Sequence, residues 1–121
     1  MPVTAPYLFV VSMDVDPEHE DLFNEVYETE HIPFLLEVPG VRGAQRMTTA
    51  PFQVSIGGEI MDKPAGSPKH TAIYELDSPD VLTSEAWQAA VEKGRWPSVR
   101  PHTSNRRHLL YRTDQTGTHN P

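Results

Sequence analysis

Tyr27-Glu28-Thr29-Glu30-His31-Ile32-Pro33-Phe34-Leu35-Leu36-Glu37-Val38-Pro39-Gly40 is the stretch on which the fold reading turns. On a helix, Tyr27 and His31 lie one turn apart and share a face, and Phe23 with Phe34 or Leu35 falls on that face too. A phenol and an imidazole are thus directed into an apolar layer. Pro33 lacks a backbone donor and disfavours helical geometry at Ile32, so the helix is predicted to kink or restart just after His31. His31 then has two readings. It is either a core histidine bonded to a carbonyl, or an acid/base group at a discontinuity where a pocket forms.

Upstream of this stretch, Asp16-Pro17 reads as a helix N-cap with proline at the first helical position, and Glu18, Glu20 and Asp21 put negative charge at the positive end of the helix dipole. The apolar stripe Leu22, Phe23, Val26, Tyr27 carries the helix to His31, and Pro39-Gly40 ends it. Before the helix, Tyr7 to Val15 is aromatic and β-branched on both alternating faces, as in a central strand covered on both sides. After it, Val41 to Thr49 reads as a strand with Gly43 marking a bulge. Residues 50–69 are rich in proline and glycine and read as a long loop holding a small hairpin, a lid or a surface excursion.

His70 to Leu76 is the next strand, with His70, Ala72, Tyr74 and Leu76 on one face. Ser78-Pro79-Asp80 repeats the capping signal and opens a second helical segment ending at Gly94, with Leu82, Ala86 and Trp87 turned inward. Residues 95–102 hold two prolines and form an aromatic, basic connector. Arg106 to Thr113 is the last strand, and residues 114–121 form a polar, flexible tail.

The order is βαββαβ, an α+β ferredoxin-like arrangement: an antiparallel four-stranded sheet with both helices on one face. The other face would be left bare and too apolar for water, so a homodimer, a dimeric α/β barrel, is expected. With 121 residues and 37% apolar content, the chain suits one domain, with a core over about 6–113. A net charge of −7 argues against a nucleic-acid surface and favours a small-molecule partner. Without cysteine there is no disulfide or thiol nucleophile. No signal-like start and no membrane-length apolar run is present, so a cytoplasmic location without membrane contact is the expectation.

Tyr27-x-x-x-His31-x-Pro33 followed by Val38-Pro39-Gly40, then Tyr74-Glu75-Leu76-x-Ser78-Pro79-x-Val81-Leu82 and a terminal Tyr111-Arg112, resembles the EthD-like group of dimeric α/β-barrel proteins. That group includes a lactone methylisomerase, fungal polyketide dehydratases and proteins of ether degradation. The resemblance implies that His31 sits in a pocket between sheet and helices and handles protons without metal or organic cofactor. Residues 50–69 depart from the compact members.

An imidazole titrating near pH 6.5 can take and give a proton next to a carbonyl. Tyr27 is a candidate to donate to a developing enolate, and His70 a candidate second base. Arg95 or Arg100 is suited to a substrate carboxylate. Phe23, Tyr74, Trp87 and Trp96 are candidate pocket walls, and His102 and His108 join only if they face the helices. None of the six histidines lies in a His-x-x-x-His pair, so no metal site is expected. Three functions fit: a cofactor-independent isomerase or lyase acting on a small unsaturated carbonyl compound, a cofactorless monooxygenase of the same fold, or a non-catalytic binding protein of a catabolic pathway.

Overall fold

The structure, a computed structural model, describes residues 3–114; the tail over 115–121 lies outside them. Strand β1 (Tyr7–Val15) runs through the middle of a four-stranded sheet, between β5 (His70–Leu76) and β6 (Thr103–Arg112), with β2 (Val41–Thr48) beyond β5. All pairings are antiparallel. The protomer therefore has the ferredoxin-like α+β architecture from which dimeric α/β barrels are built.

Register decides what each face shows. Phe9 lies opposite Tyr74 and Val11 opposite Ala72, and on the other side Val11 lies opposite His108. These residues face the helices, and β5 alternates buried and half-buried along its length. The reverse face carries Leu8, Val10 and Ile73, with Met47, Leu109 and Tyr111 well exposed. Val10, Ile73 and Leu109 make its apolar centre, flanked by Gln45, Glu75 and Ser12, whose hydroxyl bonds that of Thr71 at 2.9 Å.

The helical layer is broken where Pro33 requires it. Helix α1 (Glu20–Val26) passes into a π turn over Tyr27–His31, in which the Ile32 N–H donates to the Tyr27 carbonyl, and α2 (Ile32–Leu36) resumes. Proline cannot supply the bond that would continue the α register. Widened turns of this kind re-aim side chains.

The second helical segment is more divided than its sequence pattern implies. A 3-10 turn (Pro79–Thr83) starts at Ser78, whose hydroxyl accepts from the Asp80 N–H. Ser84 then caps α3 (Glu85–Val91) by accepting from the Trp87 N–H. The connector is itself helical: α4 (Trp96–Val99) and a 3-10 turn (Arg100–His102) follow, with Pro97 and Pro101 at their starts. Trp96 and Val99 are core residues.

Residues 50–69 hold a small hairpin. Strands β3 (Phe52–Ile56) and β4 (Glu59–Lys63) join through Gly57 and Gly58, whose φ of 61° and 85° suit a two-residue hairpin turn. It carries exposed Phe52, Ile56 and Ile60. Among the described residues, no helix is long and apolar enough to cross a membrane.

Candidate functional site

Between the sheet and the broken helices lies a cavity of about 250 Å³. Its sheet wall is Phe9, Val11, Met13, Tyr74, Arg106 and His108. Its helical wall includes Tyr27, His31, Leu35, Trp87, Trp96 and Arg100. The π turn is what puts Tyr27 and His31 together here, with ring centroids 5.0 Å apart and edge to face.

His31 is 5% exposed. Its ring stacks on Trp96 at 4.6 Å, and its Nδ1 is buried without a hydrogen-bond partner. The core reading, in which a carbonyl holds the imidazole, is therefore not what the structure shows. Nε2 is left as the nitrogen available to a ligand. Burial, followed by the charges of Arg100 and Arg106, lowers the His31 pKa to about 4, with Glu92 opposing. At neutral pH the ring is uncharged.

Burial raises the Tyr27 phenol, and burial with the adjacent Tyr27 oxygen pushes Tyr74 well above its ordinary value. The Tyr74 hydroxyl is directed at the Tyr27 oxygen, so a ligand oxygen would meet two adjacent phenols on one wall. Arg46 backs the Tyr27 ring, its guanidinium carbon 5.1 Å from the centroid, and is fixed by Asn24 at 2.6 Å and Glu28 at 3.0 Å.

Two guanidiniums approach the cavity. Arg100 is paired with Glu92, yet its Nε is buried and unpartnered. Arg106 makes no ion pair among the described residues. His108 is the more open imidazole of the site, and burial beside Arg106 lowers its pKa as well.

The sequence candidates divide. Tyr27, His31, Tyr74, Trp87, Trp96 and Arg100 line the cavity, whereas Phe23 and His70 do not. Phe23 is 1% exposed and packs behind Tyr27, His70 and Trp96. His70 is buried, and its Nε2 is 2.7 Å from Glu20 Oε2. The His70 ring is thus bound to a carboxylate outside this cavity. Arg95 is bonded to Glu30 and Glu25, also away from it. No residue of 50–69 lines the cavity, so within one chain that segment is no lid over it.

Arg106, Val91 and the β1 residues were not singled out by sequence reasoning. The signal was present in the alternation of 106, 108 and 110 along β6, but its parity becomes readable only from the Val11–His108 pairing.

No family model matches this sequence, and no curated protein is significantly similar to it. Solved structures share its fold. An EthD (ethyl tert-butyl ether D) family protein from Bacillus halodurans is 14% identical, with a TM-score of 0.55, over 89% of this chain and 99% of that one. A mutant of MhuD with two manganese protoporphyrin IX molecules bound per active site aligns with a TM-score of 0.59 at 14% identity, over 93% of this chain and 100% of that one. MhuD from Mycobacterium tuberculosis, a heme-degrader with two hemes bound in its active site, aligns with a TM-score of 0.55, again at 14% identity and the same coverage. The sequence resemblance to the EthD-like group and the structural likeness to an EthD family protein thus agree on the fold.

Proposed function

We propose that this protein is a cofactor-independent isomerase or lyase that moves a proton on a small unsaturated carbonyl compound carrying a negative charge. One observation carries the reading: a buried histidine whose Nδ1 has no hydrogen-bond partner shares a cavity with two adjacent phenols and two arginines. His31 Nε2 would take the proton α to the carbonyl, the electron pair would move onto oxygen as an enolate, and a phenol of Tyr27 or Tyr74 would donate to that oxygen. Returning the proton from His31 at the conjugated carbon completes an isomerisation with no net redox change.

A base with a pKa of about 4 is weak, and the anion supplies the remedy. A substrate carboxylate on Arg100 and Arg106 would offset the two charges that depress His31 and raise its affinity for a proton. The free enzyme holds the ring neutral; the bound substrate makes it basic.

The heme of the MhuD structures does not fit the described cavity. The volume of about 250 Å³ between sheet and helices is too small for a porphyrin. The aromatic walls Trp87, Trp96 and Tyr74 support a cofactorless monooxygenase as a second reading, marked by turnover that requires oxygen.

The functional unit would be a homodimer closed over the bare sheet face, since Leu8, Val10, Ile73, Leu109 and Tyr111 form an apolar patch that a second copy would cover.

The deciding experiment follows deuterium incorporation from heavy water into a panel of unsaturated lactones and β-dicarbonyl aromatics by mass spectrometry, using wild type and His31→Ala. Enzyme-dependent labelling lost in the variant is the expected result. Equal ligand binding by both proteins with no labelling or turnover would overturn it in favour of a binding protein.

A further inference from the structure

A second group of ligating side chains lies at the junction of β1 with the first helical turn and of α4 with β6. Asp16, His19 and His102 each bring a ligand atom within 4.8 Å of the other two. The imidazoles of His19 and His102 lie face to face, with centroids 3.6 Å apart and planes 10° apart. The Asp16 carboxylate stands 3.7 Å from His102 Nδ1, beyond a hydrogen bond.

The backbone holds this group in place. The Asp16 N–H donates to the His102 carbonyl at 3.0 Å, and the His19 N–H donates to the Asp16 carbonyl at 2.9 Å. Two chain segments remote in sequence are thereby locked together. None of the three side chains is hydrogen-bonded to another group among the described residues, and His19 Nδ1 is buried without a partner. Three unspent ligand atoms gathered within 4.8 Å of one another are what a cation needs.

We propose that Asp16, His19 and His102 bind a borderline divalent transition ion, with zinc as the reference case. Two imidazole nitrogens and one carboxylate oxygen suit Zn²⁺, Ni²⁺, Co²⁺ or Cu²⁺, and a lone carboxylate is a poor site for Mg²⁺ or Ca²⁺. Ligands around tetrahedral zinc, with bonds of about 2.0–2.1 Å, stand roughly 3.3 Å apart. Binding would turn the two imidazoles out of their stack so that both lone pairs meet the ion, and the exposed Asp16 leaves the group open to solvent. The sequence rule that looks for paired histidines misses the set because His102 joins it only through the fold. The ion would clamp the Arg100–His102 turn, whose Arg100 lines the cavity; the site itself does not depend on the reaction proposed there.

The test is calorimetric titration of untagged, chelator-stripped protein with ZnCl₂, and with CoCl₂ monitored by its visible absorption, for wild type, His19→Gln, His102→Gln and Asp16→Asn. One ion per chain is expected, with affinity at least about tenfold weaker in each histidine variant. Asp16→Asn keeps the shape of the turn and controls for folding, and should weaken binding without altering the far-ultraviolet circular dichroism. Equal affinity across all four proteins, or no saturation at one equivalent, would overturn the proposal.

Discussion

The rings of His31 and Trp96 stack at 4.6 Å and 27°, so a tryptophan face replaces water over the cavity histidine. Trp96→Leu should admit solvent and raise the His31 pKa from about 4 toward its ordinary value, as read by NMR titration of the ring carbons. Trimming so large a buried side chain should also cost about 2–4 kcal/mol of stability. A His31 pKa that stays put would show that Trp96 is not what dries it.

Burial of neutral His31 makes stability depend on pH. Its folded pKa of about 4 lies below the ordinary 6.5, so the unfolded chain takes up the proton first. The contribution is complete above about pH 6.5 and is lost as pH falls towards 4, amounting to ~3 kcal/mol. Urea unfolding at pH 7 and pH 4.5 should show a steeper loss for wild type than for His31→Gln.

Charges around His31 give opposite signs. Arg100 lowers its pKa and Glu92 raises it, so Arg100→Gln should shift the titration upward and Glu92→Gln downward. The pair separates electrostatics from packing, because both variants remove the same ion pair. Shifts of one sign in both would contradict the account.

Gly94 has φ of +72°, and a Cβ there would lie 2.5 Å from Glu30 Oε1 and 2.9 Å from Phe34 Cε2. Glu30 accepts from the Arg95 N–H at 2.8 Å, so the carboxylate cannot move freely aside. Gly94→Ala should destabilise the fold by about 1–3 kcal/mol, measured as a lowered thermal midpoint.

Ile73 lies at the centre of the bare sheet face, between Val10 and Gln45. If two copies bury this face, Ile73→Glu should convert a dimer to a monomer in light scattering, with the circular dichroism retained. A wild-type monomer at micromolar concentration would remove the dimer from the proposed function.

Much of the fold was legible because it rests on local rules. The two-sided apolar run fixes β1 as a central strand, Asp16-Pro17 marks where the chain turns towards α1, and Pro33 breaks the helix after His31. The helical character of 96–102 was hidden, since Pro97 and Pro101 read as breakers although each stands at a first turn, where a missing N–H costs nothing. The small hairpin within 50–69 was legible in its turn chemistry, and Gly57 and Gly58 with positive φ form its turn.

By itself the sequence determined that Tyr27 and His31 share a helix face and that the sheet has an apolar reverse side, because both follow from periods of a few residues. The tertiary structure alone decided that His70 binds Glu20 outside the cavity, that Arg106 and His108 enter it, and that Asp16 and His19 meet His102. Those outcomes depend on strand register and on which segments pack together. A shift of one residue in β6 would exchange its two faces, and no local spacing encodes that choice.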